Sequence, residues 1–569
     1  MRSPRASTAT VRGPDRGSSG RETTKVMRNP TTLFVLLLGF CVGCRNGEDV
    51  SHDEGHSHDE MPPDVAAVHF ENSCDDSVAD DLNAAVALVH NMTYHVAAEK
   101  FDSVAEKDPD CGMAYWGRGM TYIHPLWADA PSAESMTKGL ELIERARATD
   151  LTPRESAYVD ALAAYYENAE KPVRDRLLAF ATGFASLHES YPEDREAKAF
   201  HALTNLATAE PGKIDPQIVE TSSRLAFEVL EDEPNHPGAH HYLIHTFDTP
   251  DLAENAVEVA RKYAQLAPEI PHALHMPSHI FTRLGMWDDS IALNRRSADA
   301  ALGMPYEGGV SVHYPHALDY LLFAYLQTGQ ESKAQAIVAD MDAIQMPVEV
   351  GPASAYSLAA ADGRWALERH DWAAAAAIQA RRPAEFPWDQ FPQFEALSHF
   401  AVAIGAARSG DSEIAALTSK KLEELEGKTP EGYWRKQVQV MRLAAQAWTA
   451  EAKGNSEDAA RIMKESADLE AGMLKHAVTP GEILPSSELL GDMMLAHGNP
   501  SAALEAYKVS LERTPNRFNS LFGAGQAAEA MGDFETARGY YAQIVAISTE
   551  ADSGRMELAY ARSQTQPAM

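Results

Sequence analysis

A spacing of 34 residues near the C-terminus constrains the fold of this chain more than any other feature of its sequence. A glycine, an alanine and a tyrosine recur in the same order at that spacing: Gly491, Ala503 and Tyr507, then Gly525, Ala537 and Tyr541. Small residues allow two helices to pack closely, an aromatic ring fills the space between units, and Pro515 ends a second helix. The spacing therefore predicts two consecutive helix-turn-helix units.

The same arrangement returns earlier in the chain, where Ala97, Phe101 and Pro109 match it. Glycine turns between amphipathic segments follow at Gly285, Gly329, Gly410 and Gly454. Alternating strand patterns are scarce between residues 80 and 548, and Ala-rich amphipathic segments dominate there. Because 34 residues is the tetratricopeptide (TPR) period, we predict an all-α protein, a right-handed TPR-type α-solenoid of stacked helix-turn-helix repeats.

Changes in composition and pattern divide the chain into six predicted segments. They are a signal peptide at residues 1–43, with Met27 as an alternative start; an acidic, His-containing flexible tether at 44–70; N-terminal TPR-like repeats with a His-rich centre at 71–330; degenerate helical repeats at 331–480; a C-terminal TPR pair at 481–549; and a tail at 550–569.

An apolar segment at residues 31–40 marks the N-terminus as an export signal. The sequence TTLFVLLLGF is too short to span a membrane as an ordinary helix, and CVGC follows it. This arrangement is similar to a bacterial lipoprotein signal, with Cys44 as the predicted lipidated cysteine. An uncleaved anchor and an ordinary secretory signal are the alternatives. The expected location is the periplasm or cell envelope, with membrane contact only through the N-terminal lipid.

The charge of the chain limits its partners. The formal net charge is −34 at pH 7, and such a surface repels nucleic acid and anionic lipid headgroups. A peptide or protein ligand and metal cations remain as expected partners. The predicted tether contains His52, His56 and His58, but flexible His/Asp tracts are more often solvated spacers than defined metal sites.

Two cysteines flank the first repeat. In an oxidising compartment Cys74 and Cys111 are natural disulfide partners, whereas two buried thiols are the alternative. Closing a loop between residues 37 positions apart would contribute about 3–4 kcal/mol to stability through the reduced entropy of the unfolded chain. We predict the disulfide.

Histidines crowd the centre of the chain. Three stretches, 236–245, 271–279 and 312–316, hold nine of the 22 histidines. Their i, i+3 and i, i+4 spacings place them on shared helical faces, and neutral imidazole is a common ligand of transition metals. The sequence predicts a divalent transition metal, with zinc, copper and iron as the candidates, and these ligand candidates: His241, His245, His272, His275, His279, His313 and His316. Four carboxylates lie among these motifs and could each serve as an oxygen ligand or orient an imidazole: Glu233, Asp248, Asp251 and Asp319.

Several long segments together resemble a group of exported bacterial TPR-repeat proteins. The resemblance covers residues 68 to 548 and is carried by HYLIHTFDTP, HALHMPSHIFTRLGMWD, HALDYLLFAYLQTGQ and VTPGEILPSSELLGDMML. It implies a helical solenoid and adds His90 and His124 to the candidate metal ligands, while His313 is less characteristic of the group. It implies no established reaction.

Three functions are compatible with these patterns. In the first, the central histidines bind a transition metal for storage, delivery or chemistry. In the second, the protein is a noncatalytic scaffold that binds a peptide or protein in its concave groove, and its histidines are hydrogen-bonded structural residues. In the third, three protein ligands and an open position make a metal-dependent enzyme. The chain contains no HExxH, GxSxG or GxxxxGK[ST] motif, so no catalytic residue is predicted.

Overall fold

The computed structural model describes residues 68–127 and 130–565, which belong to one unit spanning Met61–Met569. The predicted signal peptide, Cys44 and nearly all of the tether lie outside the described residues. Within the described residues the secondary structure is helical, with no β-strand and two isolated β-bridges. None of the described helices is long and apolar enough to cross a membrane.

The α-helices of the first half are numbered in chain order. They are α1 Ala79–His90, α2 Tyr94–Lys107, α3 Gly112–Met120, α4 Ala133–Arg147, α5 Pro153–Tyr166, α6 Val173–Ser190, α7 Arg195–Leu206, α8 Pro216–Asp232, α9 Pro237–Phe247, α10 Val257–Leu266, α11 Pro271–His275, α12 Pro277–Arg283 and α13 Trp287–Leu302. Two short 3-10 helices lie among them, at Asp76–Val78 and Ala253–Ala256.

The second half continues the same numbering. It contains α14 His313–Gln327, α15 Glu331–Asp342, α16 Pro352–Leu367, α17 Trp372–Ala376, α18 Pro392–Arg408, α19 Ser412–Lys428, α20 Tyr433–Ala452, α21 Ser456–Ala471, α22 Ser486–Ala496, α23 Pro500–Arg513, α24 Phe518–Ala530, α25 Phe534–Ile547 and α26 Met556–Thr565. A third 3-10 helix lies at Trp388–Gln390.

Local chemistry sets many of the helix ends. Helix α5 begins with a capping box, in which the Thr152 hydroxyl accepts from the Glu155 N–H and the Glu155 carboxylate accepts from the Thr152 N–H. Proline occupies the first turn of α9, α11 and α12. The N–H groups of a first turn have no acceptor within the helix, so the missing N–H of proline costs no helical hydrogen bond there. The turn glycines Gly285 and Gly329 have φ of 64° and 70°, which a side chain would strain.

The packing follows the predicted repeat pattern. Each α-helix contacts the next one in the chain, and from α14 to α24 each even-numbered helix also contacts the next even-numbered helix. A Cβ on Gly491 would lie 2.7 Å from the Tyr507 ring, and one on Gly525 would lie 2.5 Å from the Tyr541 ring. These close approaches are the small-residue and aromatic contacts expected of TPR units. The predicted all-α, TPR-type solenoid is confirmed.

The second half of the solenoid curls back on itself, since α24 also contacts α14. The segment at residues 472–485 connects α21 to α22 and contacts α14 and α16. We call it the return loop. Arg364 anchors it by pairing with Asp319 at 2.6 Å and donating to the Gly481 carbonyl at 2.9 Å. The Tyr320 hydroxyl donates to the Ala477 carbonyl at 3.0 Å. The return loop therefore lies against the His-bearing helix α14.

A disulfide joins Cys74 to Cys111. Cys74 precedes the first 3-10 helix and Cys111 is the residue before α3, so the bond ties the start of the described chain to the first repeat.

The glycine contacts lead to a first prediction. Gly525→Ala should lower the free energy of unfolding by about 1–3 kcal/mol, because the added methyl overlaps a buried ring. Gly539→Ala is the matched control, since Gly539 is an exposed position of α25 with nothing within 4 Å of an added Cβ. The control should gain about 0.5–1 kcal/mol. Urea denaturation measures both, and equal midpoints would contradict the packing described.

The disulfide leads to a second prediction. Replacing Cys74 and Cys111 by serine should lower the free energy of unfolding by about 3–4 kcal/mol, because the unfolded chain regains the entropy of a loop with a 37-residue separation. Denaturation of the wild type with a reductant should show the same loss. The double variant should not respond to the reductant, and a response would show that another group is being reduced.

Candidate metal centre

Three histidines from two helices form the first trio. His241 and His245 lie one turn apart on α9, and His272 lies on α11. The Nε2 atom of His241 is 3.2 Å from the Nε2 atom of His245 and 3.2 Å from that of His272. One ring nitrogen thus faces two others at the same short distance. All three side chains are largely or fully enclosed by protein.

A second trio is formed by His275, His279 and His316. They lie on α11, α12 and α14, and each offers a ligand atom within 4.8 Å of the others. The Nε2 atoms of His275 and His279 are 2.9 Å apart, and the His275 and His316 rings are centred 4.3 Å apart. Within the described residues, the buried Nδ1 atom of His316 has no hydrogen-bond partner.

Hydrogen bonds at the other ring nitrogen determine where the protons lie. His275 donates from Nδ1 to the Asn294 side-chain oxygen at 2.7 Å, and Asn294 is oriented by donating its own N–H to the Ser290 carbonyl. His279 donates from Nδ1 to the Asp248 carboxylate at 3.1 Å. In the neutral rings both Nε2 atoms then carry lone pairs. Two lone pairs face each other at 2.9 Å, which is favourable only with a cation between them.

Asp248 is held as a carboxylate by its surroundings. Burial opposes its ionisation, but the charges of Lys475 and Arg283 and the hydrogen bond from His279 hold the pKa of Asp248 well below its usual range. Arg283 donates to one oxygen of Asp248 at 2.8 Å, while His279 donates to the other. Asp248 therefore orients His279 and has no oxygen left without a partner, as is typical of groups that position a metal-binding imidazole.

The first trio shows the same arrangement with a backbone acceptor. His241 donates from Nδ1 to the His90 carbonyl at 2.7 Å, so its Nε2 atom carries a lone pair that faces both His245 and His272. A single lone pair makes at most one ordinary N–H···N hydrogen bond, and the second nitrogen is left without a good partner.

Burial keeps the imidazoles of both trios neutral. Desolvation lowers the pKa of His241 to about 3 and lowers the pKa of the other five rings as well. A neutral ring is the form that binds a metal. Two imidazole nitrogens held at about 2.0–2.1 Å from one ion, at angles between a right angle and the tetrahedral angle, are about 2.9–3.4 Å apart. The measured separations of 2.9 and 3.2 Å fit this range.

A third buried cluster has a different character. His90 and His236 each donate from Nε2 to the Glu196 carboxylate, at 2.7 and 3.0 Å. The Nδ1 atom of His90 then accepts from the Tyr242 hydroxyl, and that of His236 accepts from the Ala239 N–H. Every ring nitrogen has a complementary partner, so this cluster is stable without a metal. His90, a predicted ligand, lies here and contributes only its carbonyl to the first trio.

A cavity of about 470 Å³ opens beside the two trios. His245 and His272 of the first trio border it, as do His279 and His316 of the second. The predicted ligands His313 and His124 also line it, with the His313 ring centred 5.4 Å from that of His272 in the first trio and His124 stacked on Tyr94 at 4.4 Å. The remaining walls include Met276, Tyr306, Val348, Glu349 and His476 of the return loop.

Several residues of this region have no signal in the sequence. Asn294, Glu349 and His476 are distant from the histidine motifs and match no motif by themselves. Asp248 was predicted to orient an imidazole, and it does contact His279. Asp319, named in the same prediction, pairs with Arg364 and makes no hydrogen bond to a histidine of either trio.

Comparisons with known proteins add little to this geometry. No family model and no curated protein matches the chain. Similar solved structures include the human IFIT1 dimer with PPP-AAAA, which is 11% identical with a TM-score of 0.36 over 84% of this chain and 96% of that one. Yeast Tom70 is 11% identical with a TM-score of 0.31, and the match covers 80% of this chain and 89% of that one. The APC/C hetero-tetramer Cut9-Hcn1 is 10% identical with a TM-score of 0.30, and the match covers 86% of this chain and 84% of that one. The geometry of the chain itself defines its class, an α-solenoid with two buried histidine trios.

Proposed function

We propose that the protein is an exported solenoid that binds transition-metal ions at the two histidine trios. The observation that carries the proposal is the pair of Nε2 lone pairs of His275 and His279, which face each other at 2.9 Å while both Nδ1 atoms donate elsewhere. A structural role for these histidines would require an N–H on one of the two facing nitrogens, whereas in the cluster around Glu196 each histidine Nε2–H meets a carboxylate oxygen. A metal ion between them removes the conflict.

The donor set favours a metal that prefers nitrogen. Six imidazoles, with neither thiolate nor carboxylate among them, form the two trios. Imidazole suits zinc, copper, iron and nickel, whereas magnesium and calcium select oxygen ligands. Three protein nitrogens per ion leave a coordination position open, so each bound ion can accept a further small ligand.

A peptide-binding scaffold is the second candidate. A TPR-like solenoid commonly binds a peptide or protein on its concave surface. In this chain the return loop lies beside the trios and contributes His476, Ala477 and Val478 to the cavity wall, so part of the interior is filled by the protein's own chain. A purely structural scaffold also leaves the opposed lone pairs unexplained, and we therefore place metal binding first.

Metal content tests the proposal. The full chain, expressed without a His tag and with His52, His56 and His58 replaced by alanine, should retain zinc, copper, iron or nickel after stoichiometric loading and desalting. His279→Ala should weaken binding at its trio by more than about 100-fold, because losing a ligand costs more than losing a group that orients one. His399→Ala is the control, since His399 is half-buried on α18 and belongs to neither trio.

Elemental analysis and competition with a chelator measure the retained metal. Circular dichroism verifies that both variants keep their helices. A parent chain that retains none of these metals, or a His279→Ala variant with the parent's affinity, would show that the histidines are structural and would favour the scaffold.

Export is the other part of the proposal. The apolar segment at residues 31–40, the CVGC sequence and the disulfide between Cys74 and Cys111 all support an oxidising, extracytoplasmic location. Mass spectrometry of the native N-terminus should find a lipid-modified Cys44. A cleaved but unmodified N-terminus would reject the anchor alone, and a cytosolic chain retaining residues 27–44 would reject export.

A further inference from the structure

We propose that the two trios hold a pair of copper ions as one dinuclear centre, and that dioxygen binds between the two ions at the cavity. This inference rests on the proposed metal binding and specifies the number of ions, the metal and the small ligand. It goes beyond two independent sites because it requires the trios to share one open space.

The trios are close enough to act together. The rings of His245 and His279 are centred 6.2 Å apart, and those of His272 and His275 are centred 6.4 Å apart. Helix α11 supplies His272 to the first trio and His275 to the second. Because these two ligands are on a single turn of helix, the positions of the two ions are rigidly linked.

The ligands favour copper over other metals in such a pair. Dinuclear iron and manganese centres in helical proteins are built with glutamates as well as histidines, but no carboxylate belongs to either trio. Asp248, the carboxylate that contacts His279, already accepts hydrogen bonds from His279 and Arg283, one at each oxygen. Copper binds nitrogen donors most tightly among the divalent first-row metals, and imidazole serves both of its common oxidation states.

The cavity is placed to receive a ligand that bridges the pair. Two rings of each trio border it, namely His245 and His272 of the first trio and His279 and His316 of the second. With three protein nitrogens per ion, each ion keeps an open position, and the cavity of about 470 Å³ is where a small molecule can reach both ions. A diatomic molecule could bind one ion through each of its atoms.

The electron balance of dioxygen binding is complete at this centre. Each of two cuprous ions gives up one electron and becomes cupric, and dioxygen accepts both electrons. Its O–O π bond is lost, its σ bond remains, and a copper–oxygen bond forms at each end. No proton is consumed. Release of the peroxide as hydrogen peroxide then takes up two protons from water, and two equivalents of a one-electron organic reductant such as ascorbate return both cupric ions to the cuprous state.

Copper loading of the full chain with His52, His56 and His58 replaced by alanine tests the inference. Cuprous ions are added without oxygen, excess is removed, and we expect one copper ion for each of the two trios. After exposure to dioxygen, X-ray absorption should show cupric copper while electron paramagnetic resonance shows almost none of its spin, because a bridging ligand couples the two unpaired electrons. Acid should then release one peroxide for each pair of ions.

Single-trio variants show whether the coupling needs both ions. His245→Ala and His316→Ala each remove a ligand of one trio, and each variant should bind about half as much copper as the parent. After chemical oxidation, electron paramagnetic resonance should detect all of the bound copper of each variant as cupric, because no second ion is present to couple with it. His399→Ala should behave as the parent. The measurement on the parent chain stands by itself if either variant fails to fold.

The possible failures are distinguishable. Two copper ions with fully visible cupric spin, or no peroxide on acid treatment, would overturn the dinuclear centre and leave metal binding intact. Retention of zinc but not copper would overturn the choice of metal. A parent chain that retains no metal would overturn the proposed function itself.

Discussion

A buried imidazole carries one N–H and one lone pair, and each needs a partner once water is removed. This requirement organises the centre of the protein. The N–H groups of His241, His275 and His279 are directed outward to the His90 carbonyl, Asn294 and Asp248. Their lone pairs therefore converge inward. The neighbouring cluster around Glu196 obeys the same requirement with complementary partners, and the contrast between the two clusters supports the proposed metal binding at the trios.

The solenoid supplies this arrangement by bringing together groups that are far apart in the chain. Asp248 is held between Arg283 and His279, and Lys475 of the return loop lies 3.9 Å from it. The return loop is in turn anchored by the buried Arg364, which pairs with Asp319 and donates to the Gly481 carbonyl. Removing one charge from such a buried group leaves its partner uncompensated, so the centre depends on contacts well outside the trios.

The candidate site was predicted only in part from the sequence. The i, i+4 spacing placed His241 with His245 and His275 with His279, and these pairs lie together. The spacing also placed His272 with His275, but the structure assigns them to different trios. Helical periodicity predicts which residues share a face of one helix, but it does not predict which faces of different helices pack together. His124 and His313 consequently border the cavity, and His90 belongs to another cluster.

The sequence by itself determined the helical class and the repeat packing, because both depend on local periodicity and on glycine and tyrosine spaced within one repeat. It also indicated Cys74 and Cys111 as partners, since they flank a single repeat. Only the tertiary structure decided which histidines converge, which ring nitrogen of His241, His275 and His279 donates, and that residues 472–485 return to the centre. These depend on contacts between residues such as Arg364 and Gly481, more than 100 positions apart, and no local pattern specifies which distant segments will pack together.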